Sequence, residues 1–147
     1  MTSFTPLNSN FQQDIQTNFE QQSVMHFIGA ELVLIEPGRC EIGLPYRQDL
    51  SQQNGFLHAG ITTTIADSAC GYAALSLMPA GSDVLSVEFK INMLRPASGE
   101  RFIARAEVLK PGRTLVITRA DVFAIQADKE TLIAAMQATM YCQPSLT

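Results

Sequence analysis

Two hydrophobic periods run along the chain, and the change from one to the other marks its elements. Near the start, Phe11, Ile15 and Phe19 recur every four residues among Gln, Asn and Asp, a single apolar stripe on a polar helix. The pattern predicts a loose tail over residues 1–9 and then a helix over 10–28 that caps a core; Phe27 and Ile28 are read as core packing before acyl-pocket lining. Residues 29–36 and 39–46 are rich in β-formers and are separated by Pro37-Gly38, so they predict a hairpin. Small apolar residues then dominate 59–78, where Ile61, Ile65, Tyr72 and Leu75 are interleaved with Ala66, Ala69, Gly71, Ala73 and Ala74. This predicts a buried helix of about five turns, closed by Pro79-Ala80-Gly81. Thr62, Thr63 and Thr64 are poor helix formers, so packing must hold its first turn. Beyond it the period shortens to two. Residues 84–94 alternate, with Leu85, Val87, Phe89, Ile91 and Met93 on one face and Ser86, Glu88, Lys90 and Asn92 on the other. Residues 101–109, 114–127 and 131–142 read as three more strands, with turns at Lys110-Pro111-Gly112-Arg113 and Asp128-Lys129-Glu130.

Helix, hairpin, long helix and four antiparallel strands are satisfied by an α+β fold in which a curled antiparallel sheet wraps a long central helix. Nothing suggests a second domain, so residues 1–147 read as one.

Within the central helix Asp67 stands out, because an unpaired carboxylate is costly to bury. An Asp facing water or held in an ion pair is the plain alternative. His58 lies nine residues earlier, two and a half turns and about 13 Å along the axis. Asp67 therefore points away from the side that His58 faces. A site using both the carboxylate and the amides of the helix start has to draw them from two antiparallel chains.

The spacing Gln52-x5-His58-Ala59-Gly60-x6-Asp67, with the strand SVEFKINMLRPASGE after it, resembles the hot-dog-fold acyl-CoA thioesterases, above all the PaaI-like branch of the phenylacetate pathway. The likeness runs over about residues 29–142. Ala59 stands where that family usually has Gly. The resemblance implies thioester hydrolysis without metal or organic cofactor, with Asp67 as nucleophile or general base and the Ala59 amide, joined by that of Gly60, as oxyanion donors. Gln52 either adds a side-chain N–H to the carbonyl or orients the water. His58 either holds the loop or is a helix-entry residue satisfied by backbone, and Ser86 either positions water or is an ordinary polar strand residue. Glu88 is a distant candidate carboxylate on the face assigned to Ser86. Asn54 and Gly55 in the preceding loop, and the cations Arg95, Lys110 and Arg113, are candidate substrate contacts; Lys90 and Arg101 are further cations near the strands. The helix geometry calls for a homodimer, and the resemblance implies a dimer of dimers as the larger assembly. A non-catalytic acyl-CoA sensor and a hot-dog hydratase are the competing readings. The first calls for a DNA-binding appendage, and the second for a differently spaced Asp–His pair.

Composition narrows the field further. A net charge of −4 and scattered Lys and Arg argue against nucleic acid as partner. Cys40, Cys70 and Cys142 form an odd, unclustered set, which suggests free thiols in a reducing cytoplasm. With only His26 and His58 and no Cys-x-x-Cys, zinc is not expected. No run is long enough to span a membrane.

Overall fold

A computed structural model describes residues 3–145. The stripe of Phe11, Ile15 and Phe19 forms α1 (Phe11–Gln21), with all three side chains buried. The expected 10–28 helix is in two pieces: Gln22 adopts an extended ψ of 96°, and α2 (Ser23–Ile28) starts after it. Gly29, at φ +77°, ends α2 in the left-handed conformation that suits glycine. Ile28 is buried in the core, whereas Phe27 is 72% exposed and does not pack there. Within the segment expected as a loose tail, Phe4 is half-buried, and its ring sits where a Gly38 side chain would be. Met1 and Thr2 lie outside the described residues.

The hairpin is β1 (Glu31–Glu36) with β2 (Arg39–Pro45). The central helix α3 (Ala59–Leu75) ends earlier than expected, at the buried Ser76. Its hydroxyl donates to the Ala73 carbonyl and accepts the Gly38 N–H, both at 2.7 Å, and so ties the helix end to the β1–β2 turn. Four strands follow, β3 (Asp83–Met93), β4 (Arg101–Lys110), β5 (Leu115–Gln126) and β6 (Lys129–Gln143). The last turn falls at Ala127 and Asp128, both at positive φ, so Lys129 and Glu130 already belong to β6.

The six strands form one antiparallel sheet in the order β1-β2-β4-β5-β6-β3. α3 lies on its concave face. Alanines on both sides allow that approach: Ala66, Ala69 and Ala73 of the helix and Ala104, Ala120 and Ala134 of the sheet are all fully buried. This is the hot-dog arrangement implied by the resemblance.

The alternation expected along β3 breaks at Val87. Ser86 pairs with Met140 and Glu88 with Thr139, so Val87 is the extra residue of a bulge. One extra residue moves everything after it to the other face. Val84, Ser86, Phe89, Ile91 and Met93 therefore share the helix side, while Leu85 joins Glu88, Lys90 and Asn92 outside. β3 is also an edge strand, and Leu85, Val87, Phe89 and Met93 remain 45–58% exposed.

Candidate active site

The loop before α3 is held at its ends and folded tightly between them. Ser51 and Leu57 form a β-bridge, the Leu57 N–H donates to the Ala97 carbonyl, and the His58 N–H donates to that of Leu50. Between them the Gln52 N–H reaches the Phe56 carbonyl at 2.8 Å and the Gly55 N–H reaches that of Gln52 at 3.0 Å. Gly55 takes φ +83°, open to glycine at no steric cost, and its carbonyl accepts the Tyr46 hydroxyl at 2.8 Å. The Gln52 side chain folds over this turn with Oε1 accepting the Asn54 N–H. A backbone N–H can only face the amide oxygen, which fixes the orientation of the group. Its Nε2 donors have no acceptor among the described residues. Asn54 and Gly55 thus shape the loop through their backbones, with exposed positions beside Gln52.

His58 is the N-cap of α3: its Nδ1 accepts the Gly60 N–H at 2.8 Å. In this chain the His58 ring thus engages the Gly60 amide, one of the two expected oxyanion donors. The Ala59 N–H has no acceptor among the described residues. It sits at the positive end of the helix, where an anion or oxyanion is favoured. Gln52 and Ala59 line one cavity of about 260 Å³, with Phe56, Leu57, Thr62 and Met93.

Asp67 lies elsewhere. It borders a separate cavity of about 360 Å³, with Ser68, Tyr72, Ser86 and Gln22. The Ser86 hydroxyl donates to Asp67 Oδ1 at 2.6 Å, a contact that exists because the Val87 bulge turns Ser86 inward. Glu88, expected on the same face, instead accepts the Thr139 hydroxyl at 2.9 Å on the outer face. Polar side chains flank Asp67 along the helix. Ser68 donates to Gln22 Oε1 at 3.1 Å, Gln22 Nε2 donates to the Tyr72 hydroxyl at 2.8 Å, and Tyr72 donates to Asn18 Oδ1 at 2.9 Å. Burial pushes the Tyr72 phenol up to about 12, so it is a neutral donor. This chain pins the α1–α2 junction over the Asp67 cavity. Tyr72 lies four residues after Ser68, a one-face helical spacing that is readable in sequence; the partners on α1 are not.

The candidate cations are spread over the molecule. Arg95 borders the Gln52–Ala59 cavity and donates to the Leu132 carbonyl at 2.8 Å. Lys110 ends β4 and Arg113 lies in the turn that follows it. The Thr114 carbonyl there accepts the Cys142 N–H, and Cys142 pairs with Val84, which puts the turn at the Asp67 end of the sheet. Lys90 is on the outer face, and Arg101 starts β4 opposite Pro45. Among the described residues no cluster of His, Cys, Asp or Glu is placed to hold a metal.

Lining residues that the sequence did not single out are Thr62, buried beside the Gln52–Ala59 cavity, and Met93, Pro96, Ala97 and Ile133 of its walls. Spacing three after Ala59 put Thr62 on that helix face; the walls come from distant strands and carry no local signal.

Residues 54–130, more than half of the chain, match the thioesterase superfamily. Human acyl-coenzyme A thioesterase 13 is 33% identical over 92 residues, which cover 62% of this chain and 65% of that protein. A thioesterase family protein of Silicibacter pomeroyi has a crystal structure with TM-score 0.90 and 50% identity, covering 92% of this chain and 99% of that one. The E. coli PaaI protein of the phenylacetic acid degradation operon matches in fold, with TM-score 0.83 and 17% identity over 95% of this chain and 97% of its own.

Proposed function

The chain belongs to the thioesterase superfamily, and we propose that it hydrolyses acyl-CoA thioesters at a site built from two copies of itself. The observation that carries the reading is the division of the machinery. In one chain the free Ala59 N–H and the Gln52 amide border one cavity, and the Asp67–Ser86 pair borders another. Eight residues separate Ala59 from Asp67, roughly 12 Å of helix, too far for one carbonyl to meet both. The exposed edge of β3 supplies a means of joining two copies. Pairing two β3 strands antiparallel about a two-fold axis covers Leu85, Val87, Phe89 and Met93 and satisfies the open edge. It also sets the two α3 helices side by side and antiparallel, so that each Asp67 approaches the other helix start. Two such dimers back to back form the larger assembly.

In that site the thioester oxygen accepts from the Ala59 N–H and from Gln52 Nε2. Both donors are held in place before the reaction, so they stabilise the charge that develops on the oxygen without reorganising. One such donor is worth about 3 kcal/mol in the transition state. Asp67 of the partner subunit either takes the proton from an attacking water or attacks the carbonyl carbon to form a mixed anhydride that water then hydrolyses, and Ser86 of the partner subunit holds the carboxylate by its 2.6 Å bond. The coenzyme leaves as its thiol and the acyl group as the free acid. Lys110 and Arg113 arrive with the partner's Asp67, and Arg95 with Gln52, which offers cations on both sides of the coenzyme. A hydratase calls for a differently spaced Asp–His pair, and the nine-residue offset of His58 and Asp67 does not match it.

Release of free thiol from a panel of aliphatic and aromatic acyl-CoAs, with and without chelator, tests the reading. Turnover that survives the chelator is expected. Absence of turnover across the panel overturns it.

A further inference from the structure

Gly71 lies four residues beyond Asp67, one turn on and about 6 Å further along α3. A glycine inside a helix costs about 1 kcal/mol against alanine, and a buried one is expected where another group packs closely against the backbone. Gly71 is buried, yet nothing presses on it. Outside the helix backbone, a β-carbon placed there would have one neighbour within 4 Å, Val84 Cγ1 of β3, at an ordinary contact distance of 3.7 Å. The missing side chain leaves space in the cavity of about 360 Å³ that Asp67 and Ser86 border. The polar side chains of that cavity are already paired with one another, Ser68 to Gln22, Gln22 to Tyr72 and Tyr72 to Asn18. They require no hydrogen bond from an occupant. Its charged lining among the described residues is Asp67 and Asp83, with no Lys or Arg.

We infer that Gly71 is a specificity-determining position: the space beside it takes the acyl arm of the substrate and admits uncharged chains that reach one helical turn past the carbonyl. The inference rests on the thioesterase reading, in which Asp67 stands at the thioester carbonyl. Of the two arms that leave the carbonyl, the coenzyme carries the phosphates, and a lining with two carboxylates and no cation repels them. Lys110 and Arg113 lie at that end of the sheet but outside this lining. The cavity is therefore left to the acyl arm. An extended chain advances roughly 1.2 Å per bond, so the rise of roughly 6 Å from Asp67 to Gly71 corresponds to about five bonds. A hexanoyl chain reaches Gly71, and a butyryl chain stops short of it.

The test compares kcat/KM for butyryl-CoA and hexanoyl-CoA in the wild type, in Gly71→Ala and in Gly71→Ala combined with Val84→Ala. Gly71→Ala should lower the hexanoyl value at least about tenfold, the effect of one carbon in a filled pocket, and change the butyryl value less than about twofold. Val84→Ala removes the one neighbour of the added methyl, so the double variant should regain most of the hexanoyl activity. The Tm of Gly71→Ala should match or exceed that of the wild type, because alanine favours the helix, and its elution volume in gel filtration should be unchanged. Wild-type turnover of butyryl-CoA but not hexanoyl-CoA, the same change on both substrates, no recovery in the double variant or a lowered Tm overturns the inference while the thioesterase reading stands. So does an altered assembly of Gly71→Ala, which would show that the partner subunit fills the space. No turnover of these or of any other acyl-CoA removes both.

Discussion

If each site takes Gln52 and Ala59 from one subunit and Asp67 from its mate, an inactive and an impaired variant can repair each other. Asp67→Asn keeps shape and hydrogen bonding but cannot act as base or nucleophile, so its homodimers are inactive. Gln52→Ala loses an oxyanion donor and is impaired less completely, because the Ala59 amide remains. When equal amounts are refolded together, random pairing makes half of the dimers heterodimers. In each heterodimer one site combines Gln52 of the first variant with Asp67 of the second, both intact, and the other site carries both lesions. Half of the sites in half of the dimers are then wild type, so turnover recovers to roughly a quarter of the wild-type value, added to what the Gln52→Ala homodimers contribute. The assay is thiol release from a good acyl-CoA substrate, with subunit exchange followed by differently tagged chains. A site contained within one chain predicts only the average of the two parents. Parental-average turnover despite proven exchange would refute the shared site and, with it, the pairing of β3 edges that creates it.

Two further outcomes follow from the same structure. Ser86→Ala removes the 2.6 Å hydrogen bond to Asp67; since a bond to a charged group is worth about 1.5–3 kcal/mol, kcat should fall at least about tenfold with KM little changed, and unaltered kcat would show that Ser86 does not position the carboxylate. The buried thiols should resist alkylation in the native state: burial pushes Cys70 from its ordinary 9.0 up to about 12 and raises Cys40 as well. Because the folded value is the raised one, the stability associated with Cys70 is intact below pH 9.0 and is lost as pH rises toward about 12. Iodoacetamide labelling near neutral pH should therefore proceed no faster than unfolding, and rapid labelling of native protein would contradict that burial.

The elements of this fold were legible wherever periodicity was long and uninterrupted. The stripe of Phe11, Ile15 and Phe19, the alanine-rich run of α3 and the alternation of β4 are local patterns, and each formed the element it announced. The interruptions were not visible. Nothing in residues 10–28 marks Gln22 as a break, because the break is stabilised by side-chain bonds from Gln22 to Ser68 and Tyr72 on α3. The Val87 bulge was equally hidden. The residues of β3 alternate cleanly, and only pairing with β6 shows that one of them has no opposite number.

The chemistry divides along the same line. From the sequence alone came the types and spacing of the reactive groups: an amide-bearing loop, a helix start at Ala59 and a carboxylate two and a half turns beyond His58, on another face. Helix geometry is local, so that separation could be worked out before any fold was known. Which hydroxyl meets Asp67 and which amide remains free depended on tertiary structure. Ser86 reaches Asp67 only through the register of β3 on β6. Gly60 is withdrawn by the ring of His58, and Ala59 keeps its N–H because no neighbour folds over it. These are outcomes of contacts between segments far apart in the chain, or of a side chain choosing among several nearby partners. A hydrogen bond is decided by where both of its ends are, and the sequence specifies the position of only one of them at a time.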